Sequence, residues 1–205
     1  TNDEILATKL GLQGIADIAE LIIIERDLTL LENIKCRYHI SQISSSKSIE
    51  TIKERKQRIK FSCGVSINNL SLNENDIGDF KTFLKLSPPL RTEEDRISLV
   101  QGLNDKTIDV IVSDHKPEDE ESKRLTFAQA ATGASGIETL LPLSLELFHN
   151  ESVKLETIIQ ALTYNPAKIL KIDKGNLSIG NDADFCIVDI NKPWIVKKEK
   201  LISKS

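Results

Sequence analysis

Several absences bound this 205-residue sequence before any motif does. It has no methionine, no internal repeat and no low-complexity tract. No apolar run reaches the roughly 20 residues that a membrane-spanning helix needs, and no basic start followed by an apolar stretch suggests a secretion signal. A membrane is therefore not an expected partner. Positive charge is not in excess either: 27 Lys and Arg stand against 31 Asp and Glu, a net charge of -4, which argues against a general nucleic-acid or anionic surface. Partners are expected among small molecules and proteins. Cysteine is scarce, and Cys36, Cys63 and Cys186 are odd in number, lack C-x-x-C spacing and sit beside or within apolar runs. They read as buried, reduced thiols, which suits a cytoplasmic protein. The missing methionine, with Thr1 at the start, predicts a fragment or one half of a cut protein. The length still allows one real core with a small appendage.

What is present alternates between helical and strand-like patterns. Ile15, Ile18, Ala19 and Ile22 recur at helical spacing, with Asp17 and Glu20 on other faces, predicting a helix towards Asn33 whose apolar side packs on a sheet. Residues 36–43 alternate as a strand. Ser44, Ser45 and Ser46 offer caps for a helix with Ile49 and Ile52 inside and the run Lys53, Glu54, Arg55 and Lys56 in solvent. Phe61, Cys63, Val65 and Ile67 predict the next strand, and Asn68 and Asn69 mark its exit. A short strand is expected near Phe83 to Leu86, after which Pro88 and Pro89 halt regular structure. Thr92 and Asp95 have capping-box spacing before a helix through Leu103. Ile108 to Ser113 then reads as the fourth strand, with Ser113, Asp114 and His115 at its carboxyl end.

Strands separated by helices predict parallel pairing, the plan of half a (β/α) barrel. In such a barrel the carboxyl ends of the strands form the catalytic face, where Asp114 and His115 can bind a metal or move a proton. Residues 117–123, PEDEESK, read as an exposed charged loop. The glycines of TGASGIETLL permit a tight turn before a helix over 137–150, and helices over 155–164 and 166–170 complete the outer layer. Beyond Gly175 the composition changes to short β-like pieces at 184–189 and 194–196. The expected division is 1–172 for the barrel segment and 173–205 for a β segment and tail.

IDVIVSDHKPE resembles the last barrel strand of the dihydroorotases, cyclic amidohydrolases that usually read D-H-A-P-H there. GLQGIADIAELIIIERDLTL, KLSPPLRTEEDR, TGASGIETLLPL, NPAKIL and GNDADFCIVDINKPW are similar to that family in its own order, from about Gly11 to Trp194. The resemblance implies an α/β fold, the C-terminal half of a (β/α)8 TIM barrel of amidohydrolase type, with a short C-terminal segment belonging to a small β-sandwich. It implies interconversion of N-carbamoyl-L-aspartate and dihydroorotate in pyrimidine synthesis, with zinc as the cofactor that activates water. The family's ligands are an H-x-H after the first strand, a modified lysine or an acid on the fourth, histidines after the fifth and sixth, and an aspartate after the eighth. The first two sets would lie upstream of Thr1, in a missing N-terminal half.

Position by position, the chain departs from that pattern. His39, Ile40, Ser41 and Gln42 stand where relatives show H-x-x-H, so Gln42 replaces the second histidine. Asn68 and Asn69 stand where two further histidines are expected, and Asn68 is a substrate-binding candidate. Asp114 matches as catalytic group and metal ligand, and His115 matches as a substrate contact, but Glu118 replaces a histidine that meets substrate. A neutral amide is a poor zinc ligand. A negative charge at Glu118 also disfavours an anionic substrate. Asp114 has a plainer reading too, a carboxylate hydrogen-bonded at the barrel mouth. His39 and His149 read as structural, and Arg91 as an anion contact, a cap or a partner of Glu93, Glu94 or Asp95.

Three readings remain open. The chain belongs to a divergent dihydroorotase completed by its upstream half, with catalysis impaired as it stands. It belongs to a non-catalytic dihydroorotase-like subunit that assembles with aspartate carbamoyltransferase. Or it comes from another cyclic amidohydrolase, allantoinase-like or hydantoinase-like. The cut edges of a half barrel leave unpaired backbone groups, so association with the missing half or a homo-oligomer is expected.

Overall fold

The alternating runs form a sheet of three parallel strands, β1 (His39–Ile43), β2 (Ser62–Ser66) and β3 (Val110–Val112), in the order β1-β2-β3. The computed structural model describes residues 1–3 and 5–203. His39 lies opposite Ser62 and Ile40 opposite Cys63, while Ser66 lies opposite Val112, so all three carboxyl ends share one side. β2 approaches both neighbours closely. A Cβ on Gly64 would lie 2.7 Å from the Ser41 carbonyl oxygen and 2.9 Å from a Val110 methyl, so the central strand has no room for a side chain there.

Helices surround the sheet: α1 (Ile5–Leu10), α2 (Asp17–Asn33), α3 (Ser46–Arg55), α4 (Ile67–Ser71), α5 (Glu93–Asn104), α6 (Glu120–Lys123), α7 (Ile137–His149), α8 (Leu155–Leu162) and α9 (Tyr164–Leu170). Their starts follow local chemistry. Ser45 caps α3 by accepting the Ser48 N–H, and Thr92 and Asp95 form the expected reciprocal box at α5. The core runs between strands and helices through Leu28, Ile43, Ile52, Val65, Leu70, Leu99, Leu103 and Ile158, all buried. Each such side chain contributes about 1.5–3 kcal/mol relative to exposure.

Four expectations need correction. The segment near Phe83 is a 3-10 turn, Thr82–Leu84, because Leu86 buries against Ile77, Leu90 and Phe127 in a second small core and the Lys85 carbonyl accepts the Gly133 N–H. Val110–Val112 is consequently the third strand and pairs directly with β2. In α2 the buried side is Ile24, Leu28 and Leu31, whereas Ile15, Ile18, Ala19 and Ile22 are exposed. That helix is apolar on more than one side, so periodicity alone cannot choose the inner one. Cys63 is buried as expected, but Cys36 and Cys186 are exposed, because one lies in the loop before β1 and the other in the C-terminal segment. The β-like pieces at 184–189 and 194–196 form no strand among the described residues. Ile187 and Ile195 stand exposed there, with no neighbouring strand to bond or cover them.

Two charged runs also pack more closely than composition suggests. Arg55 reaches Glu25 and Glu32, Lys56 reaches Asp109, and these three contacts of the α3 end are ion pairs rather than a fully wet surface. Lys123 of the PEDEESK loop is buried, its ammonium donating to the Thr82 and Ala131 carbonyls at 3.0 and 2.8 Å. Burial lowers its pKa from the ordinary lysine range.

Candidate functional site

The parallel register brings Gln42, the Asn68–Asn69 pair and Asp114 to the same end of the sheet. Gln42 is the second-last residue of β1. Asn68 and Asn69 open α4, which begins immediately after β2 because the Ser66 hydroxyl accepts the Asn68 N–H. Asp114 follows β3 with φ of 48°, the left-handed region, which Asp tolerates better than most residues. That turn aims its carboxylate back across the strand ends, and Gln42 Nε2 donates to Asp114 Oδ1 at 2.8 Å.

The asparagines are only partly satisfied. Asn69 Nδ2 donates to the Pro89 carbonyl at 3.0 Å, but Asn69 Oδ1 and Asn68 Nδ2 are buried and have no partner among the described residues. Such atoms are unusual in a settled interior, where the loss of a hydrogen bond costs about 1–3 kcal/mol.

His115 and Glu118 lie beyond Asp114. Residue 115 bridges Ala134, and His115 Nδ1 accepts the Gly136 N–H at 3.1 Å. In the neutral ring this leaves the proton on Nε2, an assignment that follows from the acceptor role of Nδ1. Gly136 is required by the packing: a Cβ there would stand 2.1 Å from the Ser113 carbonyl oxygen. Glu118 lines a cavity of about 660 Å³ with His115, Asp119, Ile137 and Glu138. The arrangement therefore joins Gln42 to Asp114 and sets Glu118 with His115 in an acid-lined recess.

The remaining candidates are placed elsewhere. His39 occupies the opposite, amino end of β1, with Nδ1 2.8 Å from Ser62 Oγ, and burial holds its pKa down. His149 packs beside Phe148 and contacts the Ile190 carbonyl oxygen through Nε2 at 2.8 Å. Arg91 is buried and pairs with none of its three acidic sequence neighbours; it donates to Ser44 Oγ at 3.1 Å, Asn2 Oδ1 at 2.7 Å and the Ile15 carbonyl. The sequence reading missed Glu20, which accepts from the Ser44 N–H at 3.0 Å and from the Ser48 hydroxyl at 2.6 Å. The serine run was the available signal, although its caps explained only part of it.

The donor set was tested against a binuclear zinc centre. At the three strand ends it offers one carboxylate, Asp114, already engaged by an amide, together with amides at 42, 68 and 69. Among the described residues no group of three or more His, Cys, Asp or Glu side chains is placed to hold a metal ion. These residues do not by themselves fit such a centre.

The amidohydrolase family model matches residues 14–204. This chain belongs to the amidohydrolase family. The family chain is 44% identical over 206 residues to a dihydroorotase of Ehrlichia canis, with all of this chain and 46% of that protein covered. A dihydroorotase of Wolbachia from Drosophila simulans is 38% identical over 206 residues, covering all of this chain and 47% of the relative. The chain thus spans about half the length of the curated relatives it matches. Among solved structures, an L-hydantoinase from Arthrobacter aurescens aligns with 78% of this amidohydrolase chain and 37% of its own, at a TM-score of 0.72 and 31% identity. A dihydropyrimidinase from Brevibacillus agri aligns over 82% of this chain and 39% of its own, with a TM-score of 0.75 and 22% identity, a likeness of fold. The three-stranded parallel sheet with its helices is accordingly a partial barrel of this family. Among the described residues no helix is long and apolar enough to cross a membrane.

Proposed function

We propose that this chain is the C-terminal half of a dihydroorotase-type protein, acting on N-carbamoyl-L-aspartate and dihydroorotate in pyrimidine synthesis together with an upstream half of the barrel. Whole-chain similarity to relatives named dihydroorotase supports the substrate class. The observation that carries the site is the Asp114 carboxylate, turned by its left-handed backbone into the carboxyl end of the sheet and held there by Gln42. With Oδ1 engaged, the second carboxylate oxygen remains the position from which Asp114 can accept a proton during opening of a cyclic amide. His115, with Nδ1 tied to the Gly136 backbone, and Asn68, with an unpartnered donor, are the substrate-binding candidates of this half. Glu118 lines the same recess as His115, and its carboxylate disfavours an anion on that side. Residues 173–205 are the return segment of a small β-sandwich in this reading, 1–172 the barrel part, and the cytoplasm the compartment.

A second reading draws on the Gln42–Asp114 hydrogen bond itself. The amide occupies one oxygen of the carboxylate that a metal would need, an arrangement compatible with a non-catalytic subunit retained for assembly with aspartate carbamoyltransferase or with further copies of itself. A hydantoinase-like substrate is the third, supported by the 31% identical solved structure. The deciding experiment is the metal content of the full-length protein purified without chelator, with dihydroorotate turnover measured with and without added zinc. Turnover with about one or two metals per chain supports the enzyme and requires ligands from the upstream half. No metal and no turnover overturns it in favour of the assembly subunit.

A further inference from the structure

The end of the sheet opposite Asp114 carries a cavity of about 540 Å³, a size suited to a small ligand. Arg37, Tyr38 and His39 enter it from the start of β1, Lys60 and Phe61 from the start of β2, and Lys168 from the last turn of α9. No acidic residue lines it. The nearest carboxylates are already committed: Asp27 accepts the Tyr38 hydroxyl and pairs with Arg26, and Asp109 pairs with Lys56 and accepts the Cys63 N–H. Arg37 donates to the Ile169 carbonyl, which covers the exposed carbonyl end of α9 and leaves its other guanidinium donors without a protein partner among the described residues. Lys60 and Lys168 have no carboxylate partner among the described residues, although Lys168 lies 5.8 Å from the Tyr164 ring centre. In a chain of net charge -4, three cations beside two aromatic rings, none with a carboxylate partner among the described residues, are an unbalanced arrangement.

We propose that this cavity binds a phosphate monoester carried on a flat ring, of the size of a nucleoside monophosphate, at a site remote from Asp114. Arg37, Lys60 and Lys168 meet the phosphate oxygens, for which a guanidinium fork and mobile ammonium groups are suited. Tyr38 and Phe61 supply the apolar wall for the ring. His39, whose pKa burial lowers, adds a hydrogen-bonding side chain beside them. The inference is independent of whether the chain hydrolyses a cyclic amide.

The test is calorimetric titration of the full-length protein with adenosine 5′-monophosphate, uridine 5′-monophosphate and the two uncharged nucleosides. Saturable binding of a monophosphate with Kd below about 1 mM is expected, with its nucleoside at least about tenfold weaker. The double charge reversal Lys60→Glu, Lys168→Glu should abolish it, while Lys60→Arg, Lys168→Arg should retain it within about threefold. Equal binding of nucleoside and monophosphate, unchanged binding in the charge-reversed protein, or no saturable heat with either monophosphate would each overturn the proposal. So would an equal loss in Asp114→Asn, which would place the ligand at the other end of the sheet.

Discussion

Two buried polar clusters lie near the carboxyl side of the strands, and they are finished to different degrees. Around Arg91 and Glu20 the charged groups have partners, the guanidinium reaching Ser44, Asn2 and Ile15 and the Glu20 carboxylate collecting Ser44 and Ser48, while one amide nitrogen, Asn2 Nδ2, has none among the described residues. The Ser44 hydroxyl links the two, accepting from Arg91 and donating to Glu20. Around Asp114 the groups are mostly neutral amides, one hydrogen bond joins β1 to the β3 exit, and two amide atoms remain unpartnered. Saturated charge pins α2, the β1 exit and the loop before α5 into one unit. The unpartnered amide atoms of Asn68 and Asn69 leave hydrogen-bonding capacity unused at the strand ends.

That contrast can be broken most forcefully at Arg91. Arg91→Leu leaves two buried acceptors, Ser44 Oγ and Asn2 Oδ1, without their donor and should cost about 2–4 kcal/mol in urea unfolding of the full-length protein. A cost under about 1 kcal/mol would mean that the cluster is not the structural pin described here. Next comes Gly136→Ala, whose Cβ meets the Ser113 carbonyl oxygen at 2.1 Å; a loss of about 1–3 kcal/mol is expected, with shifted amide resonances around Asp114 and His115.

Within the amide cluster the effects should shrink. Gln42→Leu removes the donor to Asp114 Oδ1 and should cost about 1–2 kcal/mol, read from the same unfolding curves. Asn68→Leu removes a donor that already lacks a protein partner, so stability should change by less than about 1 kcal/mol or rise, while ligand binding at that end weakens. A large loss would contradict the contrast. The smallest effect belongs to the surface pair Glu93–Arg96, a bidentate contact with oxygens 2.6 and 2.8 Å from the guanidinium. Arg96, burial working against it and Asn73 adding to it, holds the Glu93 carboxyl down at about 2 from an ordinary 4.5. Its contribution is therefore fully present above pH 4.5 and fades as pH falls through about 2. Arg96→Ala should flatten that part of the acid unfolding profile, and added salt should reduce the difference.

Much of the frame was legible because its signals are local. Serines before α3, the Thr92–Asp95 spacing and the β-branched run at Val110–Val112 each require only neighbours in sequence. The position of Asp114 at a strand end followed from the same run. The inner side of α2 was not legible, since isoleucines stand on several sides and only the neighbouring helix selects Ile24, Leu28 and Leu31. Lys123 was read as solvated because its partners, the Thr82 and Ala131 carbonyls, come from other loops. The strand expected near Phe83 gave way to a small core whose buried members come from separated parts of the chain, Ile77 and Phe127 being the widest pair.

The sequence by itself determined the helices α2, α3, α5 and α7 and the strands β1 to β3, the family resemblance, and the replacement of imidazoles by Gln42, Asn68 and Asn69, because these are properties of residues and their immediate spacing. Tertiary structure decided which of those groups meet. Parallel register brings position 42 to position 114 across 72 residues, and the left-handed turn at Asp114 converts that proximity into a hydrogen bond. The same register sets Arg37 beside Lys60 at the other end of the sheet, and the packing of α9 adds Lys168, a charge cluster that no local pattern announces. Long-range pairing of this kind depends on how separated segments pack, which is why it appears only when the chain is folded.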